Sequence, residues 1–162
     1  MHRLIAFALL AACAVTPASV VGYRNSGKQI YSNAVLENDK LVGRWVQVAE
    51  FAAQGAPACK PGGAEISRGA AGLTLAANLC LGGQRVGFSG PLAMAGPGRF
   101  TPPKGEVWWV LWADVGYRTL AIGTPSGRFG FILNKGADLP ADRMRAAREV
   151  LEWNGYDLAR LR

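Results

Sequence analysis

Residues 106–124 read "EVWWVLWADVGYRTLAIGT", and the fold turns on how this stretch divides. Its first half, to Ala113, is apolar on both faces of an extended chain: Trp108, Val110 and Trp112 alternate with Trp109, Leu111 and Ala113. After the turn-like "DVG", Tyr117, Thr119, Ala121 and Gly123 share one face and shrink along it, while Arg118, Leu120 and Ile122 take the other. Two strands joined by a tight turn are predicted. A strand apolar on both sides needs two covers, so one side faces an enclosed interior and the other a separate element.

Working outward, short apolar or alternating runs recur near 43–53, 63–68, 72–80, 84–94, 98–101, 106–113, 117–124 and 128–134. Turn chemistry such as "APACKPGG", "LGGQ", "AGPG" and "KGADLP" separates them. One segment has a helical period, "LPADRMRAAREVLEWNG". In it Pro140 suits the first turn, Asp142 the positive end of the dipole and Gly155 the position past the end, with Met144, Ala147, Val150 and Leu151 as an apolar stripe. "YDLARL" after it reads as a short final strand.

An up-and-down sheet of eight strands has two edges unless it closes. The expected architecture is therefore all-β: an eight-stranded antiparallel up-and-down β-barrel with one C-terminal α-helix packed outside and a short final strand. The helix stripe is the second cover for strand 106–113. The 162 residues, half of them apolar, suit one domain. Residues 41–162 form the barrel with its helix, and residues 14–40 form a tether and N-terminal strap with Tyr23 and Tyr31 as docking points.

Residues 1–13, "MHRLIAFALLAAC", have a basic start and an apolar run ending in small residues, the anatomy of an export signal. The run is too short for a bilayer, which takes about 20 apolar residues. "LAAC" resembles the box at which bacterial lipoproteins are cut and acylated on the cysteine, here Cys13; cleavage after Ala14 or Ala18 is the other reading. Of three cysteines in an exported chain one is left over. Cys59 and Cys80 make the natural disulfide and Cys13 the acylated thiol, two buried thiols being the alternative for the pair.

The formal charge of +7, or +6 without Arg3, favours acidic surfaces such as anionic lipid headgroups. Nucleic acid is not expected as a partner. The basic residues are scattered, and the one dense run (Arg143, Arg145 and Arg148) suits the solvated face of a helix.

"GRW" (Gly43 to Trp45) opening the first strand, "DVGY" (Asp114 to Tyr117) between two late strands, and Lys135 closing the eighth strand before a helix resemble the three signatures of the lipocalin family. "NDKLVGRWVQVAEF", "VLWADVGYRTLAIGTP", "FGFILNK" and the trailing "NGYDLARL" are most similar to the bacterial outer-membrane lipoprotein lipocalins and to apolipoprotein D. The resemblance implies a barrel floor built by Gly43, Trp45, Asp114, Tyr117 and Lys135. Gly43 lets the lead-in backbone cross closely, Trp45 fills the closed end, Asp114 caps backbone N–H groups, and Gly116 supplies unusual dihedrals. Where the family has an arginine over the tryptophan this chain has Lys135. It can make a cation–π contact, but without a flat fork it is expected to hold the floor less firmly.

With Lys135 turned inward, the two-residue period also turns Leu133, Phe131 and Phe129 inward. With Phe88, Trp108 and Tyr117 these form the expected ligand-binding set. Small residues (Ala49, Gly87, Thr119 and Ala121) leave room for a slim apolar chain, a fatty acid or lysophospholipid, whose polar end meets Arg99 and Arg128. No catalytic residue, metal or cofactor is expected. The sole histidine, His2, lies in the signal, which removes Ser-His-Asp triads and most zinc sites, and Glu50, Glu65, Glu106 and Asp114 fall on different strands.

The function implied is a lipid-anchored periplasmic lipocalin of the bacterial outer membrane, storing or carrying lipophilic molecules in envelope maintenance. A barrel enzyme on a lipophilic substrate and a structural lipoprotein with a filled barrel are the alternatives. Oligomeric state is open.

Overall fold

The computed structural model describes residues 22–162, so the expected signal and Cys13 lie outside the described residues. A 3-10 turn, Asn38–Leu41, leads into eight strands: β1 Gly43–Glu50, β2 Gly63–Gly69, β3 Gly72–Leu81, β4 Gln84–Gly96, β5 Arg99–Thr101, β6 Trp108–Ala113, β7 Thr119–Gly123 and β8 Gly130–Asn134. They pair in sequence order, all antiparallel, and β1 closes the barrel on β8. Helix α1, Ala141–Trp153, lies outside. The seam between β5 and β6 is thin, with only Arg99↔Trp109 and Phe100↔Trp108 opposed.

Two apolar cores follow from the two-sided strands. The interior holds Trp45, Phe88, Phe100, Trp108, Leu120 and Phe131 among others, while a second core between barrel and helix holds Phe51, Leu111, Ile132, Ala147, Leu151 and Tyr156. Met144 and Val150 flank the second core, so the helical stripe is the outer cover the sequence called for. Ala49 and Ala121 belong to this outer core, and Thr119 bonds Asn134 and the Arg143 guanidinium. They make room for the helix, where the sequence reading placed them inside. A register shift between Val110 and Trp112 turns Trp112 to the outer core, correcting its assignment to the face of Trp108 and Val110.

Pro140 immediately precedes α1, and Gly155 (φ +92°) follows its end. The expected final strand is instead a 3-10 turn, Leu158–Arg160, between two isolated bridges, Arg24↔Tyr156 and Phe51↔Leu161. The Asp157 carboxylate accepts from the Ala159 N–H at 3.0 Å and curls the chain. Tyr23 is buried and stacked on Phe51, whereas Tyr31 is half-exposed against Trp153.

Cys59 and Cys80 form the expected disulfide, joining the β1–β2 connection to β3. Beside it the buried Gln47 amide donates to the Cys80 carbonyl and accepts from its N–H, both at 2.7 Å. Gly123 and Gly130 face each other across β7 and β8, and a Cβ on either would come within 3 Å of Tyr156. In that slot the Tyr156 hydroxyl accepts from the Thr124 N–H at 2.7 Å and donates to the Phe129 carbonyl at 2.6 Å. Burial pushes the Tyr156 phenol up from 10.0 to about 12.

Tyr156→Phe is expected to cost about 1–3 kcal/mol at pH 7, since two buried backbone groups lose their partner. The folded state holds the phenol proton more tightly than the unfolded chain. Its contribution is therefore whole below pH 10 and falls by about 2–3 kcal/mol as pH rises from there through 12. Urea unfolding at pH 7 and pH 11 checks this: the gap between the native protein and Tyr156→Phe should narrow at the higher pH.

Candidate functional site

The two poles of the barrel differ. At the closed pole the 3-10 turn brings Leu41 beneath the strands, and the buried Trp45 indole donates to the Leu41 carbonyl at 2.8 Å. Lys135 Nζ lies 4.8 Å from the Trp45 ring centre and 3.3 and 3.5 Å from the Lys40 and Val42 carbonyls. The lysine thus makes the expected cation–π contact and also reaches two backbone carbonyls of the lead-in turn. Gly43 is needed for its backbone, at φ +136°; a Cβ there would meet Lys135 only at ordinary contact distance.

Asp114 Oδ1 accepts from the N–H groups of Arg118 and Thr119, both at 2.6 Å, and Oδ2 from the Gly116 N–H and Arg118 Nε, both at 3.3 Å. Burial alone would raise this carboxyl, but the donors together outweigh it and hold Asp114 below its ordinary 3.8. The left-handed residue of the turn is Tyr117 (φ +51°), which corrects the role given to Gly116; a Cβ on that glycine would meet the flexible Arg118 side chain at 2.9 Å, so it would ask only that side chain to shift. Tyr117 accepts from the Glu37 N–H through its hydroxyl and carries Lys40 over its ring. It therefore works at the floor, at the pole opposite the mouth.

The mouth is framed by the connections β1–β2, β3–β4, β5–β6 and β7–β8. A pocket of about 290 Å³ opens there, walled by Leu81, Val86, Phe88, Trp108 and Phe129. Lys104 and Glu106 form its lip, with Lys104 Nζ 5.6 Å from the Phe88 ring centre. Glu106 Oε2 accepts from the Ser126 hydroxyl at 2.6 Å. Oε1 is the one buried side-chain polar atom without a partner among the described residues. A free acceptor at an apolar lip can take a hydrogen bond from a ligand's hydroxyl or amine.

Trp108 is the bottom of this pocket. Phe88 and Phe131 each meet it edge-on at 5.2 Å. Below it lies a second void of only about 20 Å³, lined by Ile66, Leu75, Leu92, Phe100 and Leu133 among others. That is space for one water, whereas ligand pockets usually run from roughly 300 to 1,000 Å³. The interior expected to be hollow is largely filled below Trp108, because Leu, Ile and Phe side chains from six strands meet across it. A larger concavity, about 830 Å³, is an open trough on the outer face of β1–β4 along Val46, Gly63, Ala76 and Gly87. Gly87 lines that trough, which also touches Trp45, Ala64, Ala77 and Phe88 of the interior cluster.

Of the expected ligand-binding set, Phe88, Trp108 and Phe129 meet at the mouth, Phe131 stands behind Trp108, Leu133 lines the lower void and Tyr117 is at the other pole. Arg128 is on the β7–β8 connection at the mouth. Arg99 instead lies over the outer ring of Trp109 at 4.0 Å, away from the mouth. Leu81, Val86, Lys104 and Glu106 were not singled out for the pocket. Val86 shares the two-residue period of Phe88, and Glu106 that of Trp108, so both could have been found that way; Lys104 lies on the β5–β6 connection, outside every periodic run.

The chain's architecture is shared with solved structures of remote sequence. Insecticyanin from the tobacco hornworm is 16% identical, over 87% of this chain and 85% of that one, with a TM-score of 0.63. Lobster apocrustacyanin A1 is 14% identical over 78% and 77%, at 0.54, and the siderocalin Ex-FABP 16% identical over 75% and 91%, at 0.52. No protein-family model matches the sequence, and no curated protein does. The closed antiparallel barrel with its single C-terminal helix is the lipocalin fold.

Proposed function

We propose that the chain takes a slim lipophilic molecule at the mouth of the barrel, for storage or transport. The observation that carries this reading is the apolar pocket of about 290 Å³, which shares the wall of the Trp108 indole with the deeper void. Each methylene buried there contributes about 0.8 kcal/mol, so short chains bind with little polar specificity. A long fatty acyl chain, as in a fatty acid or lysophospholipid, enters further only when the indole swings aside. The siderocalin Ex-FABP functions through dual ligand specificities, which makes ligand binding on this architecture a reasonable transfer.

The reading groups the chain with the bacterial outer-membrane lipoprotein lipocalins, anchored through acylated Cys13 on the periplasmic side. Its support is the signal-like start, the "LAAC" box and a disulfide of the kind that oxidising compartments preserve. A structural lipoprotein with a filled barrel is the second reading, favoured by the void of about 20 Å³.

Native mass spectrometry of the delipidated chain, back-titrated with fatty acids and lysophospholipids from eight to eighteen carbons, separates the two. One-to-one complexes are expected; refusal of every chain length would leave the filled barrel. Cys13→Ser should release the protein from membranes, and retention would remove the anchor.

A further inference from the structure

We infer that the mouth rim is a docking surface for an anionic bilayer, a role that stands apart from what the barrel binds. Each of the four connections or hairpins at the mouth carries an exposed cation: Lys60 after β1, Arg85 at the β3–β4 hairpin, Lys104 after β5 and Arg128 after β7. None of the four has a carboxylate within ion-pair distance among the described residues. The one carboxylate on these connections, Glu106, is tied to Ser126.

The closed pole is built the other way. There Lys40 pairs with Glu37 at 2.6 Å, Arg68 with Asp39 at 2.8 Å, Arg118 with Asp114 at 3.3 Å and Arg44 with Glu65 at 3.6 Å. Of the other cations toward that pole, Lys135 is held over Trp45, Arg99 over Trp109, and Arg143 donates to Thr119 and Asn134. Four cations of the closed pole are therefore paired with carboxylates, and none of the four on the mouth connections is. Scattered cations around an apolar opening suit a plane of anionic headgroups, where each adds to the attraction and none needs a dedicated partner. A protein partner would need complementary sites for four separate loops.

The strap adds a second reason. It begins at this same rim, where the Tyr23 N–H donates to the Gly127 carbonyl at 2.7 Å and Arg24 Nη1 to the Pro125 carbonyl at 2.8 Å. The first described residues, from Gly22, therefore stand at the rim that carries these cations. A bilayer at the rim also brings the apolar pocket against its surface.

The test uses the full chain carrying Cys13→Ser and large unilamellar vesicles of phosphatidylcholine, with or without 30% phosphatidylglycerol, read by co-sedimentation. At 50 mM salt the anionic vesicles should bind about tenfold more tightly or better, and 500 mM salt should abolish the difference. Lys60→Gln, Arg85→Gln, Lys104→Gln and Arg128→Gln together should reduce binding to the phosphatidylcholine level. Lys40→Gln, Arg44→Gln, Arg68→Gln and Arg118→Gln, which change net charge equally, should leave it. Circular dichroism reports folding of each form, and the pairs Lys104→Gln with Arg128→Gln and Arg44→Gln with Arg68→Gln repeat the contrast more gently. Equal losses from rim and closed-pole variants, or no preference for anionic vesicles, would overturn the assignment. Ligand refusal in the titration above would leave it untouched, so the two readings fail separately.

Discussion

Trp108→Ala is expected to join the mouth pocket to the void beneath it and to change which chain lengths the protein accepts. The indole walls both spaces, and the T-shaped contacts from Phe88 and Phe131 hold it there. Without it an acyl chain can continue toward Ile66, Leu75 and Phe100. Four further methylenes buried would add about 3 kcal/mol, on the order of a hundredfold in affinity for long chains over the native protein. Short chains gain little, because they do not reach past the old partition. The same change removes a large buried ring and should lower stability by about 3–5 kcal/mol, partly recovered when a chain fills the gap. Calorimetric titration with an eight-to-sixteen-carbon series, alongside urea unfolding with and without ligand, checks both. An unaltered length dependence would show that Trp108 is not the partition.

The second large effect is at the floor. Trp45→Ala should cost about 3–5 kcal/mol, a large part of the roughly 5–15 kcal/mol by which an ordinary domain is stable. It empties the closed pole, leaves the Leu41 carbonyl without its 2.8 Å donor and strips Lys135 of the ring beneath it. Trp45→Phe keeps most of the ring and loses the bond, for about 1–2 kcal/mol. Lys135→Ala removes an outer contact worth about 0.5–1 kcal/mol. Urea denaturation should return the three in that order. A Trp45→Ala loss below about 1 kcal/mol would mean that the turn Asn38–Leu41 closes the pole without the indole.

Why so much of the fold was legible is plain from particular stretches. Alternation and turn residues placed all eight strand starts within two residues of where the hydrogen-bond ladder puts them, and the one edge further off is the end of β1, at Glu50 where the sequence reading ran to 53. The helix stripe of Met144, Ala147, Val150 and Leu151 faces the barrel as its period requires. Cys59 and Cys80 pair, and Asp114 caps its turn. Each of these depends on residues near one another in sequence, or on a count of three thiols.

The candidate site was legible in part. Phe88, Trp108 and Phe129 do meet at the mouth, because the inward face of a strand follows from period two once one inward residue is known. The failures share a cause. A single extra residue at Val110–Trp112 reverses faces beyond it, so Trp112 left the face of Trp108. Ala49, Thr119 and Ala121 look like interior space until the helix is seen to need it.

The sequence by itself determined that eight short strands and one amphipathic helix would form, since periodicity and turn chemistry act locally; that Trp45 and Lys135 would meet at one end was implied by the family resemblance and not by any local pattern. Only the tertiary structure decided how much of the interior is empty and where the charge lies. Cavity volume is what remains after side chains from all eight strands interdigitate, and the open cations of Lys60, Arg85, Lys104 and Arg128 become one rim only when alternate connections are brought to the same pole.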